Sequence, residues 1–248
     1  MKVIFHKDFY QVYTSDPAAA AGRMEAIVEA IGPEWDFIDA EPASREDIEA
    51  VHQRYHVEAV TASGLFDISA LAAGGAIQAA TLGLTEPAFA LIRPPGHHAS
   101  SGSSWGFCYF NNMAVSLEYL KRTERIGRAY VLDIDLHYGD GTVNIMKDKD
   151  YVTVHNVSSH DRKAYMDEVA EELEQCEADI IGISAGFDNH VQDWGGTLET
   201  DDYRLIGALT GAAARRCHGG CFAILEGGYN HQVLGSNVLA LIRGLSEK

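Results

Sequence analysis

The residues able to do chemistry in this chain gather in four short stretches, each following an apolar or β-branched run. Arg93-Pro94-Pro95-Gly96-His97-His98 follows Ala88 to Ile92, and Asp133-Ile134-Asp135-Leu136-His137-Tyr138-Gly139-Asp140 follows Ala129 to Leu132. Gly186-Phe187-Asp188 follows Ile180 to Ser184, and Glu226-Gly227-Gly228-Tyr229 follows Cys221 to Leu225. Open parallel sheets bind ligands beyond the carboxyl ends of their strands, so strands that all deliver His, Asp or Tyr at one end describe a site. Extended chain alternates faces, which sets Asp133, Asp135 and His137 on one side and Leu132, Ile134 and Leu136 on the other. Two carboxylates and an imidazole are costly to bury unpaired, and a cation would resolve that cost. With Asp188 arriving from a neighbouring strand, three protein ligands and one open position match a catalytic metal site. Asp and His without thiolate suit zinc, while an oxygen-rich set also admits ferrous iron or manganese. The alternative is a solvated strand end, with Asp140 capping a helix that starts near Thr142.

His97 and His98 are adjacent and follow a Pro-Pro-Gly turn. Pro94 and Pro95 restrict φ and Gly96 permits close approach, so the pair is fixed outside regular structure. A lone histidine is usually a satisfied core or surface residue, but two beside a metal divide the work of general base and general acid. Each imidazole needs an orienting partner, and Asp133 and Asp140 are free for that once the other three residues hold the cation. Tyr229 lies in a turn after an apolar strand. It either packs with its hydroxyl tied to backbone or donates to the oxyanion formed when water attacks a carbonyl.

Positioning these groups requires strands that end together. Strands are expected at Val3 to His6, Phe37 to Asp39, Ala88 to Ile92, Ala129 to Asp135, Tyr151 to His155, Ile180 to Ser184 and Cys221 to Leu225. Asp16 and Pro17 offer an N-cap and first-turn proline for a helix through Ile31, and Ser44 with Asp47 offers a capping box for the next. Further helices are expected at Asp67 to Leu82, Asn112 to Thr123, Asp161 to Cys176, Asp201 to Cys217 and His231 to Gly244. That alternation is an α/β fold with a mostly parallel sheet. No linker, composition shift or repeat divides the chain, so residues 1–248 read as one domain.

Nineteen Lys+Arg against 36 Asp+Glu in 248 residues give a formal charge of −17. Such acidity repels phosphate backbones and no basic patch offsets it, so nucleic acid is not an expected partner, whereas amine-bearing substrates are attracted. A composition 46% hydrophobic and 22% charged disfavours disordered, collagenous and coiled-coil chains. No apolar run approaches the roughly 20 residues of a membrane span, and His6 and Asp8 interrupt the start where a signal peptide would be apolar. A cytoplasmic location without a membrane partner is therefore expected. Four cysteines make no disulfide framework, and Cys217 and Cys221 around His218 lack the second pair of a structural zinc knuckle.

Five motifs together resemble the histone deacetylase-like superfamily, which includes acetylpolyamine amidohydrolases and acetoin-utilisation relatives. They are Arg93 to Ala99, Gly106-Phe107-Cys108-Tyr109-Phe110-Asn111, Asp133 to Thr142, Gly186 to His190 and Leu225 to Asn230, in the family's order. The resemblance implies a three-layer α/β/α arginase/deacetylase fold and hydrolysis of an N-acylated amine, such as an acetylpolyamine or acetyl-lysine, to a short carboxylate and a free amine. It implies zinc, with ferrous iron as an alternative, on Asp135, His137 and Asp188. His98 paired with Asp140 would be the main proton shuttle, His97 paired with Asp133 its electrostatic partner, and Tyr229 the group that polarises the carbonyl. Gly106, Phe107 and Gly227 would line the substrate, with Phe107 forming one wall of a tunnel. A monovalent cation, often potassium, would lie near Asp133, Asp135, His137 and Thr153.

The chain departs from that pattern in two places. Only Asn156 to Asp179 separates two strands where relatives insert a second aromatic wall and a glycine-rich rim. The mouth should be shallower, or completed by another part of the chain or by a second subunit of a homo-oligomer. Arg23 survives in a run of alanines where relatives carry a His-Pro-Glu type sequence, which leaves it either in an inner cavity or on a helix surface. Two other activities are weighed. A two-manganese ureohydrolase needs a second carboxylate two residues before Asp188, where Gly186 stands. A binding protein that keeps the pocket without turnover is the other, since fold alone does not guarantee activity.

Overall fold

Each paired run is short and rich in apolar or β-branched residues, and every pairing is parallel. In the computed structural model, which describes residues 1–247, the strands are β1 (Lys2–Phe5), β2 (Asp36–Asp39), β3 (Ala88–Ala90), β4 (Ala129–Asp133), β5 (Val152–Asn156), β6 (Ile180–Ala185) and β7 (Gly220–Leu225). They form one sheet in the order β2-β1-β3-β7-β6-β4-β5. The expected mostly parallel sheet is thus wholly parallel. Its central strands are buried throughout, as β4 and β6 show, because helices cover both faces.

The helices are α1 (Arg23–Ile31), α2 (Arg45–Glu49), α3 (Arg54–Ala62), α4 (Phe66–Gly83), α5 (Asn112–Arg122), α6 (Asp140–Met146), α7 (Arg162–Gln175), α8 (Thr200–Arg216) and α9 (His231–Leu245). Helices α1, α9, α8 and α7 pack side by side in one layer, and α2 to α6 in the other. Local chemistry sets their starts. Asn111, Asp161, Asn230 and Ser44 each accept a backbone N–H of the first turn of the helix that follows.

Three expectations are corrected. The helix read from Asp16 to Ile31 is two elements. Asp16 caps only a 3₁₀ turn at Pro17–Ala19, and the chain then passes through Gly22 at φ +85° before α1 begins. That break turns Arg23 inward. Strand β4 ends at Asp133, two residues early, because Asp133 Oδ1 accepts the N–H of Asp135 and bends the chain. Asp135 and His137 therefore converge through a tight turn rather than by strand alternation. Helix α3 had no expected counterpart: its mean hydropathy is near neutral and its N-cap, Gln53, makes no side-chain cap.

The four chemistry-bearing segments leave β3, β7, β6 and β4, which are consecutive in the sheet. Their carboxyl ends lie nearly level, with Asp133 beside Ser184, Ala185 beside Leu225, and Ile224 beside Ala90. Segments far apart in the chain thus meet beyond the carboxyl ends of the central strands.

Candidate active site

Asp135, His137 and Asp188 meet beyond β4 and β6. His137 Nδ1 lies 3.1 Å from Asp135 Oδ1 and 3.1 Å from Asp188 Oδ2. Among the described residues these three form the one group of His, Cys, Asp or Glu side chains whose ligand atoms all lie within 4.8 Å of one another. Bonds of about 2.0–2.1 Å to a tetrahedral ion would set its ligands ~3.3 Å apart, so the spacing fits. The hydrogen bonding fits too. Asp188 Oδ1 accepts the N–H of Leu136 at 3.0 Å and Asp135 Oδ2 that of Gly227 at 2.8 Å, while Asp188 Oδ2 is buried with no hydrogen-bond partner. Nδ1 has one proton for two carboxylates; a divalent cation in its place meets both. Burial and the charge of Asp135 push the Asp188 carboxyl above the usual carboxylate range. The carboxylates of Asp135 and Asp188 beside it push His137 up to about 10.

The adjacent histidines are set to opposite charge. His97 Nδ1 lies 3.1 Å from Asp133 Oδ2, and His98 Nδ1 lies 2.8 Å from Asp140 Oδ1, which leaves Nε2 as the free nitrogen of His98. Burial opposes protonation of His97, but Asp135 and Asp133 outweigh it and hold the imidazole well above its ordinary range. For His98, burial and the charge of His97 bring the value down to about 4, so it is a neutral base at pH 7. Neighbouring groups pushed apart in this way are how acid and base roles separate. Tyr229 is pushed up by burial and by Asp135 and Asp188, so its phenol stays a proton donor.

Residues 18–166 match the histone deacetylase domain. The chain belongs to the histone deacetylase family. It is 30% identical to a probable deacetylase of Methanothermobacter thermautotrophicus, an alignment covering 98% of this chain and 90% of the relative. It is 29% identical to a histone deacetylase-like amidohydrolase of Pseudomonas aeruginosa over 93% of this chain and 78% of that protein. The HD domain of HDA15 superposes with a TM-score of 0.87 at 23% identity, covering 99% of this chain and 89% of that one, which shows a shared fold. Membership makes the chain a hydrolase of the deacetylase type, and the triad is a group of side chains that could hold a metal ion.

In this member of the histone deacetylase family, aromatic side chains gather beside the triad. Trp194, on the loop after Asp188, stacks on Tyr229 at 4.1 Å and meets His137 edge-on at 6.0 Å; Phe107 meets Tyr229 edge-on at 5.9 Å. Trp194 thus sets a second aromatic ring of the same chain beside the triad. Gly106 sits at φ +58° and Phe107 at φ 68°, the latter in a region bulky residues rarely adopt. A methyl group on Gly106 would collide with Cδ2 of His98. Gly186 packs against the Asp135 carboxylate so closely that any side chain there would collide with it. The second carboxylate of a ureohydrolase has no room, and that reading is dropped.

Arg23 is fully buried, not on a helix surface. It donates from Nε to Gly228 O at 2.9 Å and from Nη2 to Glu226 O at 2.6 Å, and so holds the turn carrying Tyr229. Arg23→Ala should lower unfolding free energy by ~3 kcal/mol or more in urea titrations, since hydrogen bonds to charged groups are worth about 1.5–3 kcal/mol each. Thr153 lies away from the site. It is exposed and pairs with Tyr130, whereas Asn156 is the β5 residue beside Asp133, three residues or ~10 Å further along. Both carboxylate oxygens of Asp133 are engaged, by Asp135 N–H and His97, and its carbonyl accepts Val157 N–H. The potassium expectation grouped Thr153 with Asp133, Asp135 and His137, and the β4–β5 register does not set it beside Asp133.

Three site residues escape a sequence reading. Trp105 and Trp194 lie in loops with no periodicity, and exposure of 55% and 52% marks them only once the fold is known. Glu226 is legible in principle, as a carboxylate ending an apolar strand. Its Oε2 accepts the N–H of Gly96 at 2.7 Å and of His97 at 3.2 Å, which pins the two-histidine turn. Burial raises Glu226 from 4.5 to about 7. Between those values the folded chain holds a proton that the unfolded chain releases, so this group's contribution favours folding less as pH rises through the window. Glu226→Gln should flatten the pH dependence of metal-free stability from 4.5 to 7 and gain up to ~3 kcal/mol above it, at about 1.4 kcal/mol per unit. Thermal unfolding across that range checks this.

Proposed function

We propose that this chain hydrolyses the amide bond of an N-acylated, cationic amine, an acetylpolyamine or acetyl-lysine, releasing acetate or another short carboxylate. The observation that carries this reading is one triad, Asp135, His137 and Asp188, flanked by two histidine–aspartate pairs, His97–Asp133 and His98–Asp140. The Asp and His donor set favours zinc, with ferrous iron as the alternative. Bound there, such an ion would polarise the acyl carbonyl and make water easier to deprotonate.

The chain's own groups do the rest. His98, neutral and oriented through Nδ1 by Asp140, takes the proton of the attacking water at Nε2 and later delivers it to the leaving nitrogen. His97, charged and anchored by Asp133, stabilises negative charge beside it without needing to exchange its proton. The Tyr229 hydroxyl donates to the carbonyl oxygen as that oxygen gains charge. Phe107, Gly106 and Gly227 line the acyl-amine stem, with Trp194 opposite Phe107. The charge of −17 draws cationic amines of either class to the mouth.

The test is acetate release from acetylpolyamines and acetyl-lysine peptides, each assayed with zinc and with ferrous iron. Turnover of at least one class that is lost in Tyr229→Phe supports the reading. Metal and ligand binding without hydrolysis across the panel would make the chain a binding protein instead.

A further inference from the structure

We propose that Trp105 is a positioning residue for His98: its indole N–H grips the Asp140 carboxylate that orients the histidine, while its ring covers the imidazole. This rests on the hydrolytic reading above. Trp105 Nε1 lies 3.1 Å from Oδ1 and 3.0 Å from Oδ2 of Asp140, and the same Oδ1 is 2.8 Å from His98 Nδ1. The nearer ring of the indole lies 3.9 Å from the imidazole, tilted by 32°. Indole, carboxylate and imidazole therefore close a three-membered circuit, two polar contacts and one stack.

The backbone is shaped for that contact. Two successive residues with positive φ, Gly106 and Phe107, follow Trp105, and only hydrogen in place of a side chain at Gly106 lets the loop lie against His98. Trp105 N–H aside, its ring is more than half exposed, so core burial does not account for its placement. The Asp140 side chain is 36% exposed. A carboxylate that open would turn toward water with a single partner, and two donors from different directions fix its rotamer. With Asp140 fixed, the Nδ1–H of His98 has one direction, and the overlying ring blocks rotation of the imidazole. The charged or titratable groups that face His98 are Asp140, His97, Asp135 and His137, the last edge-on at 6.0 Å. Of these Trp105 touches Asp140. A carboxylate that shares its charge with a second donor is a weaker partner for an imidazolium, so Trp105 also favours the neutral form of His98.

Trp105→Phe keeps a ring over His98 and removes the N–H. We expect kcat to fall roughly tenfold, the loss of one charge-assisted hydrogen bond, with KM within about twofold. The acid limb of the kcat profile should move to higher pH, a change that a packing role would not produce. A second readout does not need turnover. An imidazolium in contact quenches indole emission, so the Trp105 contribution, taken as wild-type minus Trp105→Phe fluorescence so that Trp194 beside His137 cancels, should show a step from acid to neutral pH in the zinc-loaded enzyme that is absent when both proteins carry His98→Gln. Wild-type kcat and an unmoved acid limb in Trp105→Phe would overturn the proposal, as would a fluorescence step that survives His98→Gln. An inactive wild-type chain would overturn the hydrolytic reading instead, with the fluorescence step still deciding for or against the contact.

Discussion

Replacing Asp188 by alanine lowers acetate release by about 10³-fold or more, the scale set by several kcal/mol of Lewis-acid stabilisation. Asp188 Oδ2 is the oxygen of the triad with no hydrogen-bond duty, while Oδ1 accepts the N–H of Leu136, so the substitution subtracts a ligand and one backbone-to-side-chain hydrogen bond. The stability readout separates this from misfolding. Zinc at 100 times its dissociation constant should stabilise the wild-type chain by about 2.7 kcal/mol and Asp188→Ala by far less at the same concentration. Without metal the variant should unfold no more easily than the wild type near neutral pH. Burial and Asp135 raise the Asp188 carboxyl, so its charged form opposes folding as pH rises above the ordinary carboxylate range. Chemical unfolding with and without chelator checks both parts; a variant that keeps full zinc stabilisation would remove Asp188 from the metal site.

His98→Ala lowers kcat by about 10²–10⁴-fold, the usual yield of a positioned general acid–base. His97→Ala costs less, because a charged neighbour stabilises without passing on the proton. The difference follows from surroundings, not from residue type. His98 is brought down to about 4 by burial and by His97, whereas His97 faces Asp135, Asp133 and Glu226. Activity that depends on neutral His98 is complete well above that value and falls as pH drops toward it; this acid limb should vanish in His98→Ala. Equal losses in the two variants, or an unchanged limb, would reassign the roles.

Much of this was legible in the chain because strand ends carry a readable signature. Apolar runs followed by His-His, Asp-x-Asp-x-His, Gly-Phe-Asp and Gly-Gly-Tyr mark the carboxyl edge of a parallel sheet, and these strands prove to be consecutive in it. Strand alternation, however, gave the right neighbours for the wrong reason. Asp135 and His137 meet in a bend closed by the Asp133 side chain, a local hydrogen bond that periodicity does not encode. Arg23 was ambiguous because inward or outward direction depends on the break at Gly22, and a left-handed glycine before a helix leaves no mark in apolar spacing. Thr153 stands beside Tyr130 and not beside Asp133, a matter of register that only pairing with β4 reveals. Trp105 and Trp194 were passed over because loops are positioned by long-range contacts.

The most direct measurement is anomalous X-ray scattering at the zinc edge from crystals of the zinc-loaded chain. One ion per chain should lie within about 2.3 Å of a carboxylate oxygen of Asp135, of His137 Nδ1 and of Asp188 Oδ2. A saturated protein whose ion lies elsewhere, or leaves any of those three residues uncoordinated, would contradict the assignment on which the chemistry depends.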